Sequence, residues 1–280
     1  MSTWINGRRR ESINHRDRGL QYGDGLFETM RVQKTQIRLL DFHLQRLYAG
    51  CRRLNFAAPD QKVLRNELQR IASSRSEGVL KLILTRGATS GSGRRPGYRP
   101  SGDERCTRVA TLHALSAVGP RGRDTHGPAR VRLCRTPVSV NTALAGLKSL
   151  NRLDSVLARS EWHDERIWEG LMGDTDGHWV CGTMSNLFLR RGSMLTTPPV
   201  DRSGVAGVMR RWVMRSAVKA RLQVRERAVR WQDLQAADEI FMTNAVIGIR
   251  SVGRIEGGAK TVKLQQFDAS ENLRTLLELA

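Results

Sequence analysis

Several features that define protein classes are scarce in this sequence. The chain of 280 residues has only four cysteines, and their wide spacing fits neither a zinc motif nor a dense disulfide framework. We therefore expect reduced thiols and predict no metal site. No stretch approaches the about 18 uninterrupted apolar residues that a membrane span needs, so no membrane partner is expected. Because the N-terminal residues lack the apolar core of a secretory signal, we infer a cytoplasmic location.

Acidic and aromatic residues are also scarce. The chain has 27 Asp and Glu against 47 Lys and Arg, which gives a net charge of +20, and only 5% of its residues are aromatic. So large a positive charge attracts anions. The arginines are scattered through every segment and few rings are present for base stacking, so the composition favours a solvated basic surface over a nucleic-acid site. Charge alone identifies no ligand.

Hydrophobic periodicity predicts a mixed α+β or α/β chain without fixed-period repeats. Strands are predicted at 3–6, 26–32, 78–85, 108–115 and 131–135, and helices at 39–54, 60–73, 149–162 and 208–222. The nearly continuous apolar run at 78–85 is typical of an interior strand. Residues 87–105 and 116–128 are predicted loops, and the second is the candidate linker between an N-terminal lobe of residues 1–115 and a C-terminal lobe of residues 129–280.

Lys148 is the first candidate for chemistry. It follows the apolar, glycine-containing segment 144–147, where an extended end gives way to a predicted helix. A lysine that is partly desolvated there has more of its neutral amine available as a nucleophile or Schiff-base former. The alternative, a lysine that extends to solvent at a helix start, is favoured by the pattern alone.

Three glycine-containing segments are further candidates. Residues 203–210 (SGVAGVMR) form a turn that leads into a helix, whose unsatisfied N–H groups can bind phosphate; a plain loop-to-helix junction is the alternative. Residues 182–188 (GTMSNLF) and 21–29 (QYGDGLFET) are structural turns by composition.

Taken in order, these segments resemble the conserved blocks of one family, the pyridoxal-phosphate (PLP) enzymes of the class IV aminotransferase group, and within it the aminodeoxychorismate lyases. The matching blocks are residues 22–29, 43–47, 144–153, 182–188, 204–210 and 238–245. They cover nearly the whole chain. Ordered blocks are more specific than any one motif, so the resemblance overrides the structural alternatives given above.

The resemblance implies an α+β fold of two lobes (fold type IV), a smaller N-terminal α/β lobe and a larger C-terminal PLP-binding lobe, and a homodimer with PLP between the lobes. Lys148 would hold PLP as an internal aldimine and act as general base, and Arg46 would bind the phosphate; a salt bridge on the helix face is the alternative for Arg46. The other implied cofactor contacts are Gly207, Val208, Met209, Asn244 and Ala245. The implied substrate contacts are Thr29, which is also a catalytic candidate, and the loop residues Arg94, Arg95 and Tyr98, of which either arginine could bind a carboxylate.

Cys181 departs from the family pattern. Family members carry Glu here, and the carboxylate pairs with the protonated pyridine nitrogen of PLP. A buried thiol is expected to stay uncharged, which leaves the ring neutral and a weaker electron sink. Transamination should suffer most from this change, and elimination less, because the leaving group takes up electrons as the proton departs.

The resemblance and Cys181 together favour a lyase that converts 4-amino-4-deoxychorismate, a small anionic substrate, into 4-aminobenzoate and pyruvate in folate biosynthesis. The alternatives are a branched-chain or D-amino-acid transaminase, or a catalytically impaired or PLP-independent homologue. A basic binding protein without catalysis is the alternative from another functional class.

Overall fold

A computed structural model of the chain describes residues 2–88, 97–115, 127–258 and 260–279. Proximity between Cα atoms divides the chain into two units. The first comprises Met1–Arg121 and Leu147–Asn151, and the second comprises Gly122–Gly146 and Arg152–Ala280. The predicted linker lies mostly outside the described residues, so the lobe boundaries stay a prediction.

The first unit is built on a six-stranded antiparallel sheet in the order β2-β1-β6-β5-β3-β4. Its strands are β1 (Ser2–Ile5), β2 (Arg8–Arg9), β3 (Gly25–Gln33), β4 (Gln36–Ile37), β5 (Glu77–Ala88) and β6 (Arg105–His113). The four strands predicted in this region are confirmed with shifted ends. The apolar run of β5 lies between β6 and β3, as expected for an interior strand.

The helices of this unit pack on the sheet. They are α1 (Arg18–Tyr22), α2 (Leu40–Arg53) and α3 (Gln61–Ala72), and the predictions for α2 and α3 are confirmed to within a few residues. The Asp60 side chain accepts a hydrogen bond from Val63 N at 2.9 Å and so caps α3. α2 packs on β3, and α3 contacts β4 and β6.

Residues of β3 alternate between two environments. Leu26, Met30 and Val32 are buried, whereas Phe27, Thr29 and Arg31 are half-buried. Successive side chains of a strand point to opposite faces, so the buried set faces α2 and the half-buried set lies on the other side. We call the side that carries Phe27, Thr29 and Arg31 the Thr29 face.

An extended segment, Leu147–Asn151, lies alongside the start of β3. Phe27 N donates to Lys148 O at 2.9 Å, and Leu26 pairs with Ser149. This pairing keeps the segment extended, so the helix predicted at 149–162 is wrong at both ends and α4 (Leu153–Arg159) is shorter. Because Ser149 pairs with Leu26, Lys148 lies on the Thr29 face.

The second unit contains a nine-stranded sheet with the main order β12-β11-β10-β13-β14-β7-β8-β9. Its strands are β7 (Ala129–Leu133), β8 (Ile167–Gly173), β9 (Trp179–Gly182), β10 (Asn186–Arg191), β11 (Met194–Thr197), β12 (Gln223–Glu226), β13 (Glu239–Asn244), β14 (Gly248–Gly257) and β15 (Lys260–Lys263). β15 pairs with β14. β9 also pairs with β10 through Cys181 and Asn186, which closes the strands between them into a ring with a buried aliphatic core.

Four helices of the second unit alternate with these strands along the described part of the chain. They are α4, α5 (Val208–Ser216), α6 (Trp231–Gln235) and α7 (Asp268–Glu278). The helix predicted at 208–222 starts as expected but ends at Ser216, continues as a 3-10 turn, and stops where Arg221 adopts a left-handed φ of 57°. The α+β class is confirmed. Within the described residues, no helix has the length and apolar character needed to cross a bilayer.

Candidate functional site

Lys148 and Thr29 lie on one face of the first unit. The Lys148 Nζ is 4.1 Å from the centroid of the Phe27 ring, a contact in which the ring quadrupole attracts a cation. Thr29 occupies the next position of β3 on the same face. The structure therefore brings the two predicted catalytic residues to one side of one sheet.

Arg46 projects from α2 onto Glu28 of β3. It follows His43 by one turn of α2, and both side chains contact the buried carboxylate of Glu28. Arg46 Nε donates to Glu28 Oε1 at 2.8 Å, Arg46 Nη2 donates to Oε2, and His43 Nδ1 lies 2.6 Å from Oε2. A phosphate bound by Arg46 would therefore share the guanidinium with Glu28.

Charge pairing outweighs burial at Glu28. Burial by itself raises the pKa of this carboxyl, but the charge of Arg46 and the hydrogen bonds from His43 and Arg46 bring it down to about 2. At His43, burial lowers the pKa more than Glu28 raises it, so the imidazole is neutral at pH 7. Its Nε2 is buried without a hydrogen-bond partner among the residues that the structure describes.

Of the predicted substrate loop, Arg94 and Arg95 lie outside the described residues. Tyr98 is described, and its side chain is 87% exposed. Arg18 holds the adjoining backbone, because its Nη1 donates to Gly97 O at 3.0 Å and its Nη2 donates to Tyr98 O at 2.7 Å. The buried Arg18 thus fixes the start of the described part of this loop.

In the second unit, the predicted phosphate segment is an uncapped helix start. Gly207 is the N-cap of α5 and no side chain caps the first turn, so the N–H groups of Val208 and Met209 lie at the positive end of the helix dipole. Asn186 Nδ2 donates to Val205 O at 2.9 Å. A Cβ atom at Gly207 would lie 2.0 Å from Asn186 Oδ1, so any larger residue here would require the Asn186 side chain to move away from Val205.

Cys181 is buried in an apolar cluster of the second unit. Its neighbours include Val138, Ala158, Met172 and Val180. Burial, with a smaller contribution from the charge of Glu169, raises the pKa of this thiol to about 12. The Cys181 side chain is therefore uncharged at pH 7, as predicted from the sequence.

A buried carboxylate, Glu169, holds the turn that follows Cys181. Its two oxygens accept five hydrogen bonds at 2.6–3.3 Å, from backbone N–H groups and hydroxyls of Gly170, Thr183, Met184 and Ser185. Burial raises the pKa of Glu169, and these donors oppose that shift. The segment 182–185 is thus a hairpin turn, fixed by a residue that the sequence analysis did not single out.

Asn244 and Ala245 follow β13. Asn244 Oδ1 accepts hydrogen bonds from Val246 N at 3.0 Å and Ile247 N at 2.8 Å, so its side chain shapes the loop itself. The hydroxyl of the preceding Thr243 is buried and has no hydrogen-bond partner within the described part of the chain. This orphaned hydroxyl makes Thr243 a further candidate for ligand contact, and no sequence pattern had singled it out.

Each unit offers groups of the kinds that PLP requires. In the first unit, Lys148 offers an amine and Arg46 offers a guanidinium. In the second unit, taken by itself, the start of α5 offers N–H groups that no side chain caps. These are the donors that an aldehyde and a phosphate require. An uncharged thiol such as that of Cys181 would be compatible with a cofactor whose ring nitrogen is neutral, whereas a protonated pyridine nitrogen would need a charged partner.

The buried partners of these residues were not apparent from the sequence. Glu28 and His43 lie in matching blocks but had no assigned role, and Glu169 lies in an apolar strand. One signal was available in the sequence. Glu28 and Glu169 are acidic residues at positions where the neighbouring residues predict burial, and a buried charge needs partners.

Comparisons with known proteins identify the family of this chain. The family model described as amino-transferase class IV matches residues 25–255. An aminodeoxychorismate lyase of Vibrio harveyi is 30% identical over 252 residues, covering 90% of each chain. A candidate branched-chain-amino-acid aminotransferase of Methanocaldococcus jannaschii is 31% identical over 269 residues, covering 92% of this chain and 88% of that protein.

Solved structures show the same fold. A 4-amino-4-deoxychorismate lyase of Pseudomonas aeruginosa superimposes with a TM-score of 0.89 at 37% identity, covering 99% of this chain and 98% of the other. These matches span nearly the full length, and they confirm both the fold and the resemblance found in the sequence. The chain belongs to the class IV aminotransferase family, whose members are PLP-dependent enzymes.

Proposed function

We propose that this protein is a PLP-dependent lyase that converts 4-amino-4-deoxychorismate into 4-aminobenzoate and pyruvate in folate biosynthesis. The similarity to lyases from two organisms supports the substrate class. The observation that carries the choice of elimination over transamination is the buried, uncharged thiol of Cys181 at the position of the family's ring-nitrogen carboxylate.

Each proposed contact has a chemical reason. Lys148 would hold the cofactor covalently, and Arg46 with the N–H groups of Val208 and Met209 would bind its phosphate. Gly207 would allow the close approach, and Asn244 and Ala245 would border the phosphate. When bound, PLP would withdraw electrons from the substrate carbon that loses its proton.

The chain's own groups would move the proton. The Lys148 amine would accept the proton from C4 of the substrate as general base. The electron pair of that C–H bond would form a ring double bond while the C3–O bond breaks, and the enolpyruvyl group would take up a proton and leave as pyruvate. Aromatisation of the ring favours this step, so it needs a weaker electron sink than transamination. Thr29, on the same face as Lys148, would contact the substrate near the reacting carbon.

The assay measures both expected products, pyruvate and 4-aminobenzoate. Purified protein with added PLP is mixed with aminodeoxychorismate, pyruvate is followed by coupled NADH oxidation, and 4-aminobenzoate is followed by fluorescence. We expect both products in equal amounts, and none from Lys148→Ala. Formation of pyridoxamine phosphate and a 2-oxo acid from branched-chain or D-amino acids, without pyruvate release, would instead establish a transaminase.

We also propose a homodimer. Leu153, Val156 and Leu157 form an apolar stripe on α4, with exposed fractions of 77%, 56% and 60%, and a second copy of the chain would cover it. Leu157→Asp should therefore halve the mass measured by light scattering, whereas the exposed α3 variant Val63→Asp should not. An unchanged mass for Leu157→Asp would remove this stripe from the interface. The cytoplasmic location and the absence of a nucleic-acid partner stay predictions.

A further inference from the structure

Two arginines lie opposite each other near the turn that joins β3 and β4. Arg31 belongs to β3, and Arg38 directly follows β4. Val32 pairs with Ile37, and Arg38 N donates to Arg31 O at 2.9 Å. The antiparallel register therefore places Arg31 opposite Arg38, with both side chains on the Thr29 face. The side chain of Arg31 is only 17% exposed, so this is not a pair of freely solvated surface arginines.

The pair concentrates positive charge. Burial and then the charge of Arg31 lower the pKa of Arg38 to about 10, against an opposing effect of Glu77, as expected for two like charges that face each other across the strands. Like charges directly opposite in a sheet are unfavourable unless an anion lies between them.

Glu77 balances only part of this charge. It forms an ion pair with Arg31 Nη2, and its side chain is 44% exposed. Two guanidinium groups and one carboxylate leave a net positive charge on these three residues. In addition, Arg31 Nε is buried and donates to no acceptor among the described residues. A buried donor without an acceptor is unfavourable, and an anion would satisfy it.

We propose that Arg31 and Arg38 form a subsite for a carboxylate of the substrate, remote from the amino group that reacts at Lys148. The assignment rests on the proposed function, because aminodeoxychorismate carries its carboxylates several bonds from its amino group. Arg31 lies one same-face position, about 7 Å, beyond Thr29. Lys81 pairs with Thr29 on β5 and adds positive charge along the same face. Amine and carboxylate thus have separate partners on one side of the sheet.

The test measures binding apart from catalysis. The probe is chorismate, which has the two carboxylates but lacks the amino group, and its binding to PLP-loaded protein is followed by calorimetry. Arg31→Met and Arg38→Met should each weaken binding about tenfold or more, the effect expected for losing a charge-assisted hydrogen bond. Arg108→Met is the matched control, because Arg108 is 16% exposed and pairs with Glu67 on the helix-covered side.

A third variant should act in the opposite direction. Glu77→Gln removes the competing carboxylate, so chorismate should bind about threefold more tightly. Thermal melting of each variant checks that it is folded. Unchanged affinity in Arg31→Met, an equal loss in Arg108→Met, or no binding to the wild-type protein at millimolar chorismate would each overturn the subsite.

The subsite and the proposed function can fail separately. If Arg31→Met weakens chorismate binding but the wild-type protein releases no pyruvate from aminodeoxychorismate, the function is wrong and the anion site stands. If pyruvate is released and Arg31→Met changes neither KM nor chorismate affinity, the function stands and the subsite is wrong.

Discussion

At the scale of single residues, the proposed preference for elimination rests on Cys181. A thiol with its pKa raised to about 12 cannot supply the negative charge that a carboxylate supplies. The apolar neighbours of Cys181 also limit what can replace it, since a carboxylate inserted among them would be desolvated.

We predict two effects for Cys181→Glu. Without cofactor, the variant should lose about 1–3 kcal/mol of unfolding free energy, because the new carboxyl lies among apolar side chains. With PLP, the ratio of transamination to elimination should rise, because the ring nitrogen gains an acidic partner. Chemical denaturation and paired product assays measure the two effects, with Cys181→Ser as the control. If the rates of transamination and elimination changed by the same factor in Cys181→Glu, our account of the thiol would be contradicted.

Glu28 predicts how stability depends on pH. Its folded-state pKa of about 2 lies below the ordinary value of 4.5, so the carboxylate stabilises the fold above about pH 4.5 and this contribution is lost as the pH falls toward 2. By linkage, the contribution at pH 7 is about 3 kcal/mol as an upper estimate. Unfolding free energies should therefore fall less steeply over this range in Glu28→Gln, which is also less stable at pH 7 because Arg46 loses its partner. Identical slopes in both proteins would refute this assignment.

At the scale of elements, the loop that enters α5 depends on the close approach of one side chain, Asn186, to one glycine, Gly207. Asn186, at the start of β10, holds Val205 and occupies the space where a Cβ of Gly207 would lie. A strand, a loop and a helix start are thus fixed by one amide group.

We predict strong coupling between Gly207→Ala and Asn186→Ala. Gly207→Ala should weaken PLP binding about tenfold or more and destabilise the protein by about 1–3 kcal/mol, because the methyl group collides with Asn186 Oδ1. In the double variant the collision is absent, so the loss should be smaller than the sum of the two single losses. PLP titration by absorbance and thermal melting give the two readouts. Additive losses would show that the two groups do not meet.

At the scale of the whole molecule, the net charge of +20 should influence how substrate arrives. We predict that kcat/KM for the dianionic substrate falls about threefold or more between about 20 and 500 mM salt, because salt screens long-range attraction. Binding of neutral 4-aminobenzamide, a control without a carboxylate, should hardly change. Equal salt responses for the two compounds would show that the charge plays no part in capture.

The sequence by itself determined much of the local structure. The apolar patterns were sufficient to predict β3, β5, α2 and α3. An element buried on one side has regularly spaced apolar residues, and a strand buried on both sides has a continuous apolar run. Ordered motifs were sufficient for the family, and the burial of Cys181 followed from the apolar residues around its strand.

Contacts between distant segments were decided only by the tertiary structure. Pairing with β3 kept Lys148 in an extended segment where local pattern predicted a nearby helix, and it placed Lys148 beside Phe27. The same holds for Glu28 with Arg46 and for Arg31 with Arg38, since each pairing joins separate elements through register and packing. Such partners leave no periodic signal in the chain, because an ion pair is set by which elements meet in space and not by the residues next to it in sequence.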